Sequence, residues 1–557
     1  MKKTGAQIIV ELLTRQGVKT IAGIPGGCNL PIYHALAESP IRHVLTRHEQ
    51  GAGFLAQGMA RITGKAAVCM ATSGPGATNL ITAIADAKLD SVPLVAITGQ
   101  VSCDMIGADA FQEVDTYGLT LPITKHNFLV RHASELLTVI PEAFRIAQSG
   151  RPGPVAVDVT KNAQTETCEF TAWPEPGEAD GNPECPRETL ERMAARINEA
   201  KRPILYAGGG VCASGAAGLL RAVAEKASIP VVNTLMAMGC LPHGHPLNLG
   251  LLGMHGARHV NLAMEEADLI VALGARFDDR AIGKAAAFCP GADIIHVDID
   301  RSELDKIMPG SISAAADAAL TLAALLPLIK EDKRLAWNAR LAAIRAENPV
   351  QYPNQLDMRE PISVIRRIGA LMPEDAIIAT DVGQHQMWTA QVYPFARPGS
   401  FLTSGGLGTM GFGLPAAIGA ALAAPSRPVI CISGDGSIQM NIQELATLAE
   451  THANVKVVIL NNGHLGLVRQ QQELFYEGRY AASRFECRPD FAALARGYGL
   501  PGFDLGTSSD PEKILKAALT TPGPCIINAP IHPEVNVYPM VPPGAANSEM
   551  IGGKIHV

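Results

Sequence analysis

Two kinds of hydrophobic pattern alternate along the chain. Short, continuous apolar runs, such as residues 429–432 and 455–460, end in glycine, aspartate or asparagine, which is typical of buried strands in a parallel sheet. The longer segments between them are rich in glycine and alanine or carry apolar residues at helical spacing, as residues 1–17 do. Strands that alternate with helices predict an α/β fold with parallel sheets.

The chain has 557 residues, which is too many for a single hydrophobic core. A segment rich in Pro, Glu and Gly at 168–187 resembles a linker, and so does the segment 338–357. We therefore predict three doubly wound parallel-sheet domains of the α/β class, at residues 1–167, 188–337 and 358–557.

Composition narrows the class of protein. Hydrophobic residues make up 47% of the chain, charged residues 18%, and the net charge is −7 without a Lys/Arg cluster, so we expect a well-packed enzyme with no nucleic acid partner. We expect no membrane span, because the nearest apolar run, 411–424, is rich in Gly and Ala and contains Pro415. The N-terminus does not resemble a signal peptide, because Glu11 and Arg15 interrupt its apolar pattern. Eleven cysteines without a CxxC pair predict reduced thiols and a cytoplasmic location.

Two strand exits in the third domain carry the most specific chemistry. The run 429–432 continues into SGDGS at 433–437, and the run 455–460 ends in Asn461-Asn462. Strand ends of a parallel sheet meet at one crevice, glycines admit a phosphate, and carboxylate and amide oxygens suit Mg²⁺. Either turn alone is an ordinary strand exit. As a pair, Asp435 and Asn462 predict a magnesium–diphosphate site.

The first domain echoes the third at an offset of 360 residues. GAGF at 51–54 aligns with GFGL at 411–414, and SGPG at 73–76 aligns with SGDG at 433–436. Each copy is predicted to contain a helix, a buried strand, the SGxG turn, another helix and another strand. Since the first copy has Pro75 where the second has an acid, we expect it to face the opposite end of the same ligand.

The central domain has glycines and acids at its predicted strand ends. The strand 203–207 feeds the triplet at 208–210, the strand 268–273 feeds GARFDDR at 274–280, and the strand 294–297 ends in Asp298. These features suit a nucleotide, but the pattern is not G-x-G-x-x-G, so spacing alone leaves nucleotide binding open.

Glu49 is the candidate acid of the first domain. It lies between a short predicted strand, 44–46, and the helix that contains Gly51. A glutamate at a helix start is usually a cap or a dipole partner. Glu49 nevertheless belongs to the first domain, which has no counterpart of the predicted metal-binding acid Asp435. A carboxyl group among apolar residues can share a proton with a ring nitrogen.

The motifs resemble one known family. The chain is similar to thiamine diphosphate (ThDP) enzymes and, within them, to the large catalytic subunits of acetohydroxyacid synthase, also called acetolactate synthase. The turns at 433–437 and 461–462 mark the whole superfamily, whereas other stretches extend the likeness almost end to end. These are GIPGG at 23–27, RHE at 47–49, SGPGATN at 73–79, DAFQE at 109–113, GRPGP at 150–154, GARFDDR at 274–280, DVGQH at 381–385, GTMGFG at 408–413 and YPMVPPGAAN at 538–547.

The resemblance implies a cofactor site that uses both outer domains, the first binding the pyrimidine and the third the diphosphate. Asp435 and Asn462 would bind Mg²⁺ with the backbone carbonyl of His464. Met410 would hold ThDP bent, and Glu49 would bind the pyrimidine ring and relay a proton. The full ThDP set implied is Pro25, Gly26, Glu49, Asn79, Gly383, Gln384, His385, Met410, Gly434, Asp435, Gly436, Ser437, Asn462 and Leu467.

The resemblance also implies FAD in the central domain. The flavin would be structural, because carboligation involves no net redox change. The implied FAD residues are Arg151, Gly208, Gly209, Gly210, Thr234, Leu235, Met254, His255, Gly256, Gly274, Ala275, Arg276, Asp278, Arg280, Asp298, Ile299 and Asp317.

The implied reaction is decarboxylation of pyruvate and carboligation to a second 2-oxoacid, the first common step of branched-chain amino-acid biosynthesis. Pyruvate as acceptor gives 2-acetolactate, and 2-oxobutyrate gives 2-aceto-2-hydroxybutyrate. The structural alternatives are core packing for Phe111 and surface ion pairs for Lys161 and Arg276. The residues expected around the second substrate are Phe111, Gln112, Lys161, Arg276 and Gln471.

One position departs from the family pattern. The family usually has a tryptophan, associated with preference for 2-oxobutyrate, where this chain has Gln471. An aromatic ring there gives apolar contact to one extra methylene, which changes specificity modestly. We therefore predict weak discrimination between the two acceptors, leaning toward acetolactate.

The resemblance finally implies an assembly. Glu49 would come from one subunit and the diphosphate site from another, so the active unit would be a homodimer or tetramer, with a small regulatory subunit as a further partner. The rival enzymes are other FAD-containing ThDP enzymes, pyruvate oxidase and glyoxylate carboligase, the second of which has an apolar residue in place of Glu49. A non-catalytic flavoprotein is disfavoured because Glu49, Asp435 and Asn462 are all present.

Overall fold

Each of the three predicted units forms its own six-stranded parallel sheet. The computed structural model describes residues 1–350 and 356–552. In the N-terminal domain the sheet order is β3-β2-β4-β5-β7-β6, and β1 pairs with β8 in an antiparallel ribbon. The strands are β1 Lys2–Thr4, β2 Thr20–Gly23, β3 Arg42–Leu45, β4 Ala67–Ala71, β5 Leu94–Gln100, β6 His126–Val130, β7 Pro154–Thr160 and β8 Thr167–Glu169. The helices are α1 Gly5–Arg15, α2 Leu30–Leu36, α3 Glu49–Thr63, α4 Pro75–Leu89, α5 Thr116–Thr120, α6 Leu136–Gln148 and α7 Lys161–Thr165.

The central domain has the strand order β11-β10-β9-β12-β13-β14, which reverses direction beside its first strand. This order places a crevice at the carboxyl ends of β9 and β12. Its strands are β9 Pro203–Ala207, β10 Val231–Asn233, β11 Asn248–Leu251, β12 Leu269–Leu273, β13 Asp293–Asp298 and β14 Ile312–Ala315. Its helices are α8 Arg187–Glu199, α9 Gly209–Ala213, α10 Ala217–Ala227, α11 Arg258–Glu266, α12 Asp279–Ile282, α13 Ala318–Leu325 and α14 Leu335–Glu347.

The C-terminal domain has the order β16-β15-β17-β18-β20-β19, which is the order of the N-terminal sheet when each sheet is numbered from its own first strand. This is the arrangement expected of a duplicated unit. Its strands are β15 Ile377–Thr380, β16 Phe401–Leu402, β17 Val429–Gly434, β18 Val455–Asn461, β19 Gly502–Asp504 and β20 Cys525–Pro530. Its helices are α15 Pro361–Leu371, α16 Gln384–Val392, α17 Gly413–Ala423, α18 Glu444–Thr451, α19 Gly466–Phe475, α20 Phe491–Gly497 and α21 Pro511–Thr520.

Helices α3 and α17 pack against each other and join the two outer domains. Each contains residues of the segments that align at the offset of 360 residues. A Cβ atom on Gly58 would lie 2.1 Å from the backbone oxygen of Ala416, and one on Gly419 would lie 2.0 Å from that of Leu55. Only glycine permits such an approach. Beside the crossing, Phe54 and Phe412 are buried and meet edge to face at 5.4 Å. The glycine and alanine content of these helices is therefore explained by backbone packing.

The predicted linkers differ in structure. Residues 170–186 contain no helix or strand, while the second predicted linker begins inside a helix. Residues 338–347 belong to α14. This helix packs on the central domain, because Trp337 is buried and donates its indole N–H to the backbone oxygen of Pro203 at 3.1 Å. Residues 351–355 of that predicted linker lie outside the described residues. Among the described helices, none is long and apolar enough to cross a membrane.

Candidate active site

The two predicted metal ligands lie at the carboxyl ends of neighbouring strands. Strands β17 and β18 are parallel partners, and Asp435 and Asn462 come directly after them. The backbone N–H of Gly463 donates to Asp435 Oδ2 at 2.8 Å, so the carboxylate reaches the turn that carries Asn462. Both side chains are buried. The structure therefore places the two predicted ligands in adjacent turns at the same edge of the sheet.

Burial also sets the electrostatics of this acid. It raises the pKa of Asp435 to about 6, while backbone N–H groups from Gly463 and Asn462 oppose the rise. A buried carboxylate that is costly to ionise alone is stabilised by a cation beside it. The charge of Mg²⁺ would supply that stabilisation.

His464 presents its backbone, as the third predicted ligand requires. Its N–H donates to Asn462 Oδ1 at 3.0 Å, and its ring Nδ1 lies 2.9 Å from the backbone oxygen of Asn462. No hydrogen bond of the described residues uses the His464 carbonyl oxygen. The described residues contain no cluster of three or more His, Cys, Asp or Glu side chains able to hold a metal. One carboxylate, one amide and one carbonyl make a set suited to Mg²⁺, which keeps positions for water and phosphate oxygens.

A buried imidazole lies beside the glycine turn. His385, near the start of α16, has no hydrogen-bond partner at Nε2. A Cβ atom on Gly434 would lie 2.9 Å from His385 Nδ1, and one on Gly383 would lie 3.0 Å from His385 Cε1. Burial lowers the pKa of His385 to about 3. A phosphate oxygen beside Nε2 would give this nitrogen a partner and favour protonation of the ring.

Gln384 connects this turn pair to the chain that follows the last strand. Its Oε1 accepts from Asn462 Nδ2 at 3.3 Å, and its Nε2 donates to Gln470 Oε1 at 3.0 Å. Gln470 in turn binds both backbone groups of Val537. Leu467 lies half-buried on α19, one residue after Gly466, where a Cβ atom would come within 2.1 Å of Gln384 Oε1.

The segment on both sides of Met410 is held by acids from both outer domains. Asp381 is buried and accepts the N–H groups of Gly411 at 2.7 Å and Gly413 at 3.3 Å. From the N-terminal domain, Asp86 accepts the hydroxyls of Thr409, at 3.0 Å, and Ser404. Asp90 accepts the N–H groups of residues 405 and 406 at 3.0 and 2.7 Å. Half-buried Met410 is thus carried on a segment with its backbone fixed at both ends.

Glu49 does not cap its own helix. His48 is the N-cap residue of α3 and accepts the N–H of Gln50 at Nδ1, at 3.1 Å. The buried Glu49 carboxylate instead accepts from Asn79 Nδ2 at 2.9 Å. A Cβ atom on Gly76 would lie 3.4 Å from Glu49 Oε1. These hydrogen bonds exclude Glu49 as the side-chain cap of α3, whereas its place as the first residue of the helix fits a dipole partner. The absent side chain at Gly76 leaves room beside the carboxylate.

Pro25 and Gly26 follow β2, next to the exit of β4. A Cβ atom on Gly26 would lie 2.6 Å from the Thr72 side chain, and one on Gly76 would lie 2.8 Å from Thr72 Cγ2. These N-terminal members of the predicted ThDP set therefore share one strand-end edge. No hydrogen bond of the described residues joins Glu49 to the turn at 434–437 or to Asn462.

The segment 109–113 packs against the glycine turn of the N-terminal domain. A Cβ atom on Gly74 would lie 2.7 Å from the backbone oxygen of Gln112, and both Asp109 and Gln112 have positive φ. Phe111 is 87% exposed, so the core-packing alternative for this side chain is wrong. An exposed aromatic on a strained loop is typical of a binding surface.

The other predicted substrate residues belong to three different domains. Lys161 is exposed and Arg276 half-buried, and no described ion pair includes either, so the surface ion-pair alternative is not supported. Gln471 lies on α19 and lines an open cavity of about 470 Å³ together with Val468 and Phe475.

Backbone contact between two strand exits forms the crevice of the central domain. A Cβ atom on Gly208 would lie 2.0 Å from the backbone oxygen of Gly274, and one on Gly210 would lie 2.7 Å from Gly274 Cα. Thr234 follows β10 and has a buried hydroxyl without a partner. Burial raises the pKa of Asp298 to about 6. The remaining members of the predicted FAD set in this region also follow strand ends. The ends of β9, β10, β12 and β13 are followed by Gly209, Leu235, Ala275 and Ile299, respectively.

Other acids of the predicted FAD set have structural partners. Asp278 caps α12 by accepting the N–H groups of Arg280 and Ala281, and Asp317 caps α13 and accepts from Asn182. Arg151, from the N-terminal domain, pairs with Glu303 at 2.7 Å and with Asp300 at 3.2 Å. The side chains of these members of the predicted FAD set are therefore already engaged.

The C-terminal tail contacts the segment that follows β11 in the central domain. The backbone oxygen of Met254 accepts from Val541 at 2.9 Å, and buried His255 lies with Nδ1 3.3 Å from the oxygen of Pro539. Burial lowers the pKa of His255 to about 4. A Cβ atom on Gly256 would lie 2.5 Å from the backbone oxygen of Leu251.

Comparison with known proteins identifies the family. Models of thiamine pyrophosphate enzymes match the N-terminal TPP binding domain over residues 3–119, the central domain over 190–325 and the C-terminal TPP binding domain over 381–529. The chain is 56% identical over 550 residues to the acetolactate synthase isozyme 1 large subunit of Escherichia coli K12, covering 99% of this chain and 98% of that one. This chain belongs to the acetolactate synthase large-subunit family.

More distant members of the family show the same full-length match. The isozyme 2 large subunit of E. coli K12 is 45% identical over 548 residues, covering 98% of this chain and 99% of that protein. The acetolactate synthase large subunit of Parasynechococcus marenigrum is 45% identical over 567 residues, covering 99% and 91%. The predicted family and the prediction of three α/β domains are confirmed, and the chain is a thiamine pyrophosphate enzyme.

Some residues that organise this family member's site were not assigned a role from sequence. Asp86 and Asp90 hold the loop before Met410, and Asp381 holds the backbone just after it. Glu444 accepts the N–H groups of Arg47 and His48, just before Glu49, at 2.9 and 3.0 Å. Asp381 follows β15 as Asp435 follows β17, so its position at a strand exit was a usable signal. The others act across domains, for which no local pattern exists.

Proposed function

We propose that this chain is the catalytic large subunit of an acetolactate synthase. It decarboxylates pyruvate and joins the remaining two-carbon unit to a second 2-oxoacid, giving 2-acetolactate or 2-aceto-2-hydroxybutyrate at the first common step of branched-chain amino-acid biosynthesis. The observation that carries the proposal is the placement of Asp435 and Asn462 at one turn pair beside the unpartnered nitrogen of His385, in a chain that is 56% identical to such a subunit.

In this proposal the C-terminal domain binds Mg²⁺ and the diphosphate of ThDP. Asp435, Asn462 and the carbonyl of His464 hold the cation, whose charge offsets the cost of the buried carboxylate. The turn at 434–437 lies beside Gly383, Gln384 and His385. Its glycines leave room for phosphate oxygens to approach the backbone. When bound, ThDP supplies the electron sink that carbon–carbon bond cleavage and formation require.

The N-terminal domain binds the pyrimidine end, and Glu49 holds and moves the proton there. Its carboxylate is oriented by Asn79 and faces the open space beside Gly76. Glu49 is itself buried, which limits the access of water to its carboxylate. Met410 is the apolar support for the bent cofactor, and Asp381, Asp86 and Asp90 keep its loop in place.

We propose that two copies of the chain build each active site. The support is that, among the described residues, no hydrogen bond joins Glu49 to the SGDGS turn or to Asn462 of the same chain. The exposed loop with Phe111 belongs to the same face of the N-terminal domain as Gly74. A homodimer, or a tetramer of two such dimers, would place the loop against the partner. A small regulatory subunit is a further proposed partner, since the relatives carry the name large subunit.

The central domain is proposed to bind FAD. The crevice between Gly208 and Gly274, the unpartnered hydroxyl of Thr234 and the acid Asp298 at the end of β13 support a dinucleotide there. Phe111, Gln112, Lys161, Arg276 and Gln471 are proposed to surround the acceptor 2-oxoacid. The cysteine pattern supports a cytoplasmic location.

The decisive experiment is an assay of the purified protein with pyruvate, Mg²⁺ and ThDP, with and without FAD. Acetolactate is scored as acetoin after decarboxylation in acid. We expect acetolactate formation that requires Mg²⁺ and ThDP, without bleaching of any flavin band. Bleaching of the flavin on pyruvate addition, with peroxide formed in oxygen, would instead identify a pyruvate oxidase. Absence of both activities would contradict the proposal.

A further inference from the structure

Two thiols of the central domain face each other next to the crevice. Cys212 lies in α9, just after the turn at 208–210, and Cys240 follows the 3₁₀ helix Leu235–Ala237. Their Sγ atoms are 3.0 Å apart. Among the described residues, this is the one pair of cysteine side chains joined by a hydrogen bond, and all eleven cysteines are free.

The pair lies where the central domain meets the C-terminal domain. Cys240 is buried and Cys212 is partly exposed. A Cβ atom on Gly239 would lie 2.2 Å from the backbone oxygen of Arg397, so the exposed segment 397–399 covers the pair. The hydrogen bond from Cys240, and then a backbone contact with Gly399, lower the pKa of Cys212. Cys212 is therefore the more exposed thiol and the readier to ionise, and Cys240 is positioned behind it.

We propose that Cys212 and Cys240 form a reversible disulfide by exchange with a low-molecular-weight disulfide. The Cys212 thiolate attacks one sulfur of the reagent, whose S–S bond breaks and whose first thiol leaves with a proton. Cys240 loses its proton and attacks the Cys212 sulfur, which expels the second thiol. The two protein sulfurs lose two electrons, and the reagent becomes two thiols. The Sγ atoms must close from 3.0 Å to about 2.05 Å.

The bond would tether two strand exits of the crevice. Cys212 follows the glycine turn after β9, and its Sγ already lies 3.5 Å from the backbone oxygen of Met236 in the segment after β10. A covalent link between these segments would restrict their separation. We therefore expect the disulfide to slow the exchange of a dinucleotide in the crevice. This second consequence rests on the proposed FAD site, whereas the disulfide itself does not.

The first test is peptide mapping of the purified full-length protein after incubation with oxidised glutathione. Thiols are then blocked with N-ethylmaleimide in denaturant and the protein is digested with trypsin. We expect a linked pair of the peptides 202–221 and 227–258, each of which contains one cysteine, and its loss on treatment with dithiothreitol. Cys212→Ser and Cys240→Ser should each abolish it, and Cys487→Ser, at an exposed cysteine, should not. Separate peptides, alkylated or glutathionylated, from the folded protein would overturn the proposal.

The second test measures release of bound FAD by its fluorescence in the oxidised and reduced protein. We expect release to be at least severalfold slower after oxidation, and unchanged by oxidation in Cys240→Ser. Equal release rates in a protein with the linked peptides would overturn the coupling. If the protein binds no FAD, the proposed flavin site fails, while peptide mapping still decides whether the disulfide forms.

Discussion

The N-terminal and C-terminal sheets have the same strand order, yet their strand exits carry different chemistry. At the gap-free offset of 360 residues, Pro75 occupies the place of Asp435 and Ser102 that of Asn462. The first exit therefore lacks both oxygen ligands and opens beside Glu49. The second carries a buried acid with a raised pKa and an unpartnered imidazole. One scaffold thus offers two crevices with different exit residues, and we propose that these residues decide which end of a ligand each crevice accepts.

Removing the acid that distinguishes the second crevice should have the largest effect. Asp435→Ala deletes the carboxylate that would hold Mg²⁺, and we expect acetolactate formation to fall by roughly 10⁴-fold, because a catalytic cation contributes several kcal/mol. Steady-state rates over a Mg²⁺ titration measure this. Pro75→Ala, at the equivalent exit, should leave Mg²⁺ affinity unchanged. A magnesium dependence that survives in Asp435→Ala would break the comparison.

Glu49→Gln tests the acid of the first crevice. The amide keeps its oxygen for Asn79 but cannot relay a proton, so we expect kcat to fall by about 10³-fold. The Mg²⁺ affinity, measured by calorimetry, should stay near that of the parent, because the proposed metal ligands lie in the other domain. Wild-type turnover in this variant would remove Glu49 from the proton path.

The junction that holds the two halves together depends on missing side chains. Gly58→Ala places a Cβ 2.1 Å from the backbone oxygen of Ala416, and we expect it to lower the free energy of unfolding by about 3 kcal/mol. Gly218→Ala is the matched control, because this helical glycine in α10 has no atom within 4 Å of its Cβ position. That change should be neutral or stabilising by up to about 1 kcal/mol. Thermal unfolding of both variants decides, and equal midpoints would contradict close backbone packing.

Asp86 should make the clamp on the Met410 loop sensitive to pH. Burial is the largest cause that raises its pKa to about 6, so the folded state favours the protonated form. Its stabilising contribution is full below pH 4 and is lost as pH rises through 6. Asp86→Asn resembles the protonated acid, since Oδ2 has no partner. We expect the free energy of unfolding of this variant, relative to that of the wild type, to increase by on the order of 2 kcal/mol as the pH rises from 4 to 7. Unfolding midpoints at both pH values measure the change. A difference that is constant with pH would show that Asp86 does not titrate there.

The smallest expected effect concerns the acceptor. Gln471→Trp adds apolar contact for one methylene at the open cavity on α19, and we expect about a tenfold rise in selection of 2-oxobutyrate over pyruvate. A competition assay with both acceptors measures the ratio, and Gln471→Leu, which lacks the flat ring, should shift it less. Strong selection for 2-oxobutyrate in the unmodified protein would contradict the assignment of Gln471.

The sequence by itself determined the strands of the sheets and the positions of the glycine turns that follow them. Apolar runs and glycine exits are local patterns, so the strands near 429–434, 455–461 and 203–207 and the turn at 433–437 could be read directly. The 3₁₀ helix Ile438–Asn441 before α18 has no such local pattern, and its last residue, Asn441, donates to the backbone oxygen of Gly411 at 2.7 Å.

Only the tertiary structure decided which residues meet. That Asp86 and Asp90 clamp a loop more than 300 residues away, or that Asn79 rather than a helix terminus holds Glu49, depends on how helices pack across domains. Those contacts arise from close backbone approach at glycines and from burial of charge. Neither leaves a periodic trace in the chain, because each depends on partners that are distant in sequence.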